Sequence, residues 1–287
     1  MDLLPQLLLN GIISGALLAI PAIGFTAIFA VLRFPNFSVA SHATVGAFAG
    51  YAANVWLGLP AAPALIAAFL VAGLVGLVSD EVALRPLRPY GALTAAIASI
   101  ALTIVLENMI RFGFGNDLRG YDLPLVRDWR FWDVRVGPQQ VQNLVLAVII
   151  MAAVFAALKF TKIGKAMRAV ADNPTLAELK GIDPVWVGRM TVFVAMGLVG
   201  AGGMLLGLGT SIDPLTGFRF ILPIFAAAVV GGLGSIPGAA LGAMVVGIGE
   251  ELSVLALSPS YKSAVGFIAI VLVLAVRPRG LLGERAY

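Results

Sequence analysis

Nine stretches of this chain are apolar enough to lie in membrane hydrocarbon, and they limit its fold more than any motif does. They cover about 7–32, 37–57, 63–82, 92–112, 141–160, 190–208, 220–230, 239–257 and 264–276. About 20 apolar residues cross a hydrocarbon core about 30 Å thick. Backbone amides there have no water to bond, so only helices and closed barrels are open to such a chain. Barrel strands alternate apolar and polar residues over short segments, and no such alternation is present. The expected fold is all-α, a polytopic helical membrane protein of eight or nine spans, the count depending on whether both broken runs cross fully. Composition agrees. Only 12% of the 287 residues are charged, against about 25% in soluble proteins, and mean hydropathy is +0.99. One transmembrane domain, residues 1–287, is expected, with no large soluble domain. The opening Met1-Asp-Leu-Leu-Pro5 lacks a basic n-region and reads as the start of a span, not a cleaved signal.

Lysine and arginine beside the runs give the orientation. In a nine-span chain with its N-terminus outside, Arg33, Arg85, Arg88, the six basic residues from Lys159 to Arg189, and Arg277, Arg279 and Arg285 share one side. That side is expected to be cytoplasmic. Segment 113–140 is then periplasmic. It holds Tyr121, Trp129 and Trp132, aromatics that favour the interface. Five arginines also fall between Arg111 and Gln140, so Arg33, the Arg85/Arg88 pair and the tail tip the balance. The net charge of +4 is small and its carriers flank spans, which orientation explains and nucleic-acid binding does not. There is no cysteine for a disulfide or thiolate metal site, and one histidine cannot build a multi-histidine centre. Gly164-Lys165 lacks P-loop spacing, and Gly232-Leu-Gly234-Ser lacks the third glycine of a dinucleotide site. No HExxH or GxSxG occurs. No catalytic centre, cofactor or metal is expected.

A polar island, Thr161 to Arg189, interrupts the apolar chain. It carries helix start and stop signals. Asp172 or Asn173 can cap a helix, Pro174 suits its first turn, Glu178 lies early in it, Gly181 can take the left-handed position after it, and Pro184 follows. Two readings stay open at this point, a solvated connector and a short docking helix of about 7 residues, about 10 Å long.

Two runs are broken, Asn36 to Gly50 and Phe220 to Gly238, each after a proline-containing turn. Interrupted segments in opposed halves point to an inverted repeat with the pathway between them; ordinary glycine-rich packing is the alternative. Asn36, Phe37, Ser38, Ser41, His42 and Thr44 from the first, and Gly231, Gly232, Gly234 and Ser235 from the second, are the candidate pathway residues. His42 either lines a polar path or is satisfied by backbone carbonyls. Glu107, Glu250 and Glu251 lie in spans and are either functional or paired, with Arg111 or Lys262 as partners. Gly11/Gly15, Gly46/Gly50, Gly203/Gly207 and Gly238/Gly242 permit close helix contact. No chain of Asp, Glu and His suggests a proton relay, which argues against a self-powered secondary transporter. A pore-like bundle without an engine leaves the island as the natural place for a partner's engine to dock.

Residues 164–183, Gly164-Lys-Ala-Met-Arg168-Ala-Val-Ala-Asp-Asn-Pro-Thr-Leu-Ala-Glu-Leu-Lys-Gly181-Ile-Asp, resemble the cytoplasmic signature of permeases in branched-chain amino acid ABC importers. Asn36-Phe37, Arg85-Pro-Leu-Arg88, Val230-Gly-Gly-Leu-Gly-Ser-Ile-Pro-Gly238 and Pro278-x-Gly280 resemble further motifs of that family, so the resemblance spans nearly the whole chain. The chain is similar to the first-permease type of the pair. The resemblance implies a bacterial inner-membrane protein with a second homologous permease, two cytoplasmic ATPases and a periplasmic binding protein as partners, working by alternating access. It implies ATPase coupling through Arg168, Asn173, Pro174, Leu176, Glu178, Leu179 and Gly181, with the leucines as apolar contact and Arg168 and Glu178 fixing orientation. After Asn36-Phe37 the family has Ala-His-Gly-Glu, whereas this chain has Ser38-Val-Ala-Ser41 and a displaced His42. The solute is therefore a branched-chain amino acid or a related small carboxylate, with urea, amides and aromatic acids as alternatives.

Overall fold

The computed structural model of the chain describes residues 3–124, 127–131, 134–255, 258, 261–277 and 279–283. Trp132, Leu257, Pro278 and Arg285, each used in the sequence reading, lie outside the described residues. Eleven α-helices are present among the described residues: α1 (Leu3–Leu32), α2 (Val39–Tyr51), α3 (Ala61–Ser79), α4 (Ala92–Phe114), α5 (Pro138–Phe160), α6 (Lys162–Asp172), α7 (Pro174–Leu179), α8 (Pro184–Leu208), α9 (Thr216–Gly231), α10 (Ile236–Ser253) and α11 (Lys262–Val276). Two short strands, β1 (Trp129–Phe131) and β2 (Val134–Val136), pair antiparallel. The fold is an all-α multi-pass membrane bundle.

Five of these helices, α1, α3 with the turns that continue it to Tyr90, α4, α5 and α8, are long and apolar enough to cross a membrane. At 30 residues, α1 is about 45 Å long and exceeds the hydrocarbon core. The remaining four apolar helices are shorter. Helix α2 has 13 residues and is prolonged to Trp56 by a wide π-turn; α9, α10 and α11 have 16, 18 and 15.

Helices α1, α2 and α8 form the centre, with α3, α9 and α10 packed around them and α5 and α11 outside. The packing follows the glycines. Gly11 and Gly15 of α1 lie on the α10 backbone, where an added Cβ would stand 2.8 Å from Ile248 Cα and 2.9 Å from Met244 Cα. Gly203 of α8 faces Ala43 of α2, where a Cβ would stand 2.8 Å from Ala43 Cα, and Gly46 of α2 faces Gly200. Without a hydrophobic drive between helices in lipid, backbone approach of this kind supplies the dispersion contact that holds a bundle.

Two ends follow from the contacts. At one, Arg33 donates to the Ala171 carbonyl of α6, and Arg189 binds Glu81. At the other, Gln6 exchanges hydrogen bonds with Arg135, Trp56 stacks on Phe114, and Arg119 bridges Ile212. The first is the island end. Tyr121, expected at the interface, is instead held against α2 by its hydroxyl, which donates to the Ala47 carbonyl at 2.9 Å. Burial in that apolar setting raises its pKa.

Candidate coupling and translocation sites

The island folds as two helices and the start of a third. Thr161 caps α6, its hydroxyl accepting from the Gly164 amide at 3.0 Å. Asn173 caps α7, accepting from the Leu176 amide at 2.9 Å, and Asp183 caps α8, accepting from Val185 at 2.8 Å. Between Asn173 and Asp172, the cap is thus Asn173. Gly181 takes φ +82°, a conformation that favours glycine after a helix. Pro184 opens α8, so the sixth span begins six residues earlier than its apolar pattern suggests. Helix α7 has only six residues, which puts Glu178 near its end and not early in it.

Met167, Val170, Ala177 and Val187 form a small core under the ends of α1 and α5, reached by Val31 and Leu158. That core fixes α7. Ala177 is buried, while Leu176 and Leu179 are 53% and 79% exposed. Arg168 and Glu178 are also exposed and form no ion pair among the described residues.

The residues 36–44 lie deep in the bundle. Asn36, Ser38, Ser41, His42 and Thr44 are all buried. Asn36 Oδ1 accepts from the Ser38 amide at 3.0 Å and its hydroxyl at 2.7 Å; Ser41 donates to the Ser38 carbonyl at 2.9 Å. His42 uses Nδ1 toward the Ser38 carbonyl at 2.7 Å and Nε2 toward Ser79 Oγ at 3.2 Å. The Phe37 amide donates to Ser99 Oγ at 2.9 Å, and Thr103 donates to the Phe37 carbonyl at 3.3 Å. Thr44 Oγ1 accepts from the Gly217 amide at 2.9 Å. The N-terminal halves of α2 and α9 therefore lie side by side and antiparallel inside the bundle, with Thr44 at Gly217 and Phe37 against Phe225 at 6.1 Å. The belt is closely packed, and its polar groups are turned on one another, except that the buried Asn36 Nδ2 has no partner among the described residues.

The structure does not bring Gly231, Gly232, Gly234 and Ser235 to that belt. They lie at the other end of α9, about 20 Å along it. There Gly231 packs on Gly238, Ser235 caps α10, and the tail finishes α9: the amides of Leu281 and Leu282 donate to the carbonyls of Val230 and Gly231 at 2.8 and 2.9 Å. Gly232 takes φ +107° beside Gly283. The interruption in the sequence is a turn that seats the tail.

The two span carboxylates with nearby cations are paired, Glu107 with Arg111 and Glu251 with Lys262 at 2.7 Å.

A model of the family described as branched-chain amino acid transport system / permease component matches residues 7–274. The chain belongs to that family. It is 31% identical to the high-affinity branched-chain amino acid transport system permease protein LivH of Escherichia coli K12, over 97% of this chain and 95% of LivH. It is 29% identical to the corresponding protein BraD of Pseudomonas aeruginosa, over 97% and 95%. The ribose import permease protein RbsC of Haemophilus influenzae is 29% identical over 52% of this chain and 50% of its own. Among solved structures, PsaBC from Streptococcus pneumoniae in complex with Fab superposes with a TM-score of 0.52 over 94% of this chain and 91% of that one, at 15% identity, a likeness of fold.

Several residues around this permease's sites escaped the sequence reading. Helix α6 was one, although Ile163, Met167 and Val170 recur at helical spacing. Ser79, Ser99 and Thr103, which close the belt, carry no local signal because their partners are 37 to 66 residues away. Asp80 and Glu81 were legible only through the four-residue spacing of Glu81 and Arg85, now an ion pair.

Proposed function

We propose that this permease is a membrane subunit of an ABC importer in a bacterial inner membrane. It works with a second homologous permease, two cytoplasmic ATPases and a periplasmic binding protein, and the island end is cytoplasmic. ATP-driven movement of the ATPases passes through α7 into α5 and α8. The observation that carries this is the exposed pair Leu176 and Leu179 on a capped helix whose base is fixed by Ala177. An apolar pair of that kind on a short, well-seated helix suits a groove in a partner. Arg168 and Glu178 are free to meet that partner. The pathway opens at the meeting point of α2 and α9, where Asn36, Ser38, Ser41, His42 and Thr44 exchange partners during alternating access.

The solute is a branched-chain amino acid or a related small carboxylate, on the names of the relatives. The departure at Ser38–Ser41 favours testing amides and aromatic acids beside it.

Replacing Leu176 and Leu179 together with Asp leaves the bundle folded and releases the ATPases. Co-purification from membranes expressing all subunits checks this. ATPases retained at full yield with normal uptake would remove α7 from the coupling.

A further inference from the structure

Coupling through α7 alone leaves the Arg85-Pro-Leu-Arg88 turn without a role. Helix α3 continues past Ser79 as a wide π-turn over Asp80–Leu84 and a tight turn over Arg85–Tyr90. Turns of the π type interrupt helices most often at functional places. Asp80 is buried against Arg88, whose guanidinium lies 5.3 Å above the Phe34 ring. This anchors the turn to the end of α1. Glu81, the next residue, faces elsewhere. It accepts from Arg85 in its own turn and, 108 residues along, from Arg189 in α8, with Nε at 3.1 Å and Nη2 at 2.7 Å.

Arg189 sits near the start of the helix that leaves the island. A cleft of about 160 Å³, lined by Leu32, Asp80, Arg88, Val185 and Gly188 among others, lies between that start and the turn. The turn and α8 have little other packing between them. The forked Arg189–Glu81 bond therefore crosses the edge of that cleft. On the far side of Glu81 the chain leads to Ser79, two residues back, whose hydroxyl meets His42 Nε2.

We propose that Glu81 is a positioning residue of the transport cycle. Helix α3 itself is packed on α8, so what Glu81 ties through Arg189 is the Asp80–Tyr90 turn beyond that packing; displacement of α6 and α7 then carries the turn with α8 and, through Ser79, bears on the His42 end of the belt. This rests on the coupling reading of α7. Arg85 supports the carboxylate locally and is not part of the link.

The native chain has no cysteine, so labels can be placed cleanly. Val82 in the π-turn and Val276 at the end of α11 are 74% and 80% exposed, so Val82→Cys and Val276→Cys take spin labels. In the assembled importer, ATP with vanadate shifts the 82–276 distance distribution. Glu81→Gln and Arg189→Gln each cut the equilibrium population of the shifted form about fivefold, the upper range for a half-exposed pair. Their double variant is no worse than either, and Arg85→Gln matches wild type. Glu81 is half-exposed, so its neutral variant folds. Full-yield co-purification of the ATPases with Glu81→Gln distinguishes loss of the link from failure of α7 docking, which loses the ATPases. A shift in Glu81→Gln equal to wild type overturns the proposal, as does a wild-type importer in which the 82–276 distance does not change.

Discussion

Gly217 is the tightest point of the bundle's interior, and adding one methyl group there tests the whole arrangement of α2 and α9. In Gly217→Ala the new Cβ would stand 2.6 Å from Thr44 Oγ1 and 2.7 Å from the Ala40 carbonyl carbon, and would collide with the Ala40 oxygen. Two of these are backbone atoms that no rotamer change can move. The helices must separate, and overpacking of this kind costs about 1–3 kcal/mol. Separation also stretches the Gly217–Thr44 bond, adding about 1 kcal/mol. The total is about 2–4 kcal/mol, which for a chain of this size lowers the unfolding midpoint by roughly 3–7 °C. Thr44→Val removes the acceptor and leaves the buried Gly217 amide without one, costing about 1–3 kcal/mol. Gly113→Ala is the control, since nothing lies within 4 Å of its Cβ. Thermal unfolding of the purified permease in detergent, followed by tryptophan fluorescence, gives all three. If Gly217→Ala unfolds together with Gly113→Ala, α2 and α9 do not meet as described.

Other expectations are more local. Asp80→Asn leaves the partly exposed Arg88 guanidinium without its carboxylate, a loss of about 1–3 kcal/mol; it should appear as a reduced midpoint and broadened gel filtration, with Asp80→Asn combined with Arg88→Met recovering much of it. Asn173→Ala removes the α7 cap at a cost of about 1 kcal/mol, so limited trypsin cleavage at Lys180 should quicken several-fold while Asn173→Asp stays near wild type.

Much of this arrangement is written locally. Asn173, Pro174 and Gly181 mark α7 in the sequence and hold it in the structure, because caps and turns act over three or four residues. The five long spans are legible for the same reason, as each is a continuous apolar run, and the paired glycines at 11/15 and 46/50 signal close packing without naming a partner. Which of the two interrupted runs holds the buried polar belt was not legible in this way. Both interrupted runs look alike in sequence, yet one ends in a polar belt and the other in a turn that holds the tail. What separates them is the Thr44–Gly217 bond, across 173 residues, and the docking of Leu281 and Leu282 on α9. Likewise Tyr121 looks like an interfacial anchor until its hydroxyl finds the Ala47 carbonyl 74 residues away. Contacts of that span are set by how helices assemble, and no window of sequence contains both ends.

The tail's hold on α9 also says something about the order of assembly. The carbonyls of Val230 and Gly231 are closed by amides made about 50 residues later, which at ribosomal speed is about 3–10 s. During that interval the last turn of α9 lacks those two partners. The bundle therefore cannot mature strictly from the first helix to the last. Its final residues return to complete an earlier helix, and synthesis must run past Leu282 before the chain is closed.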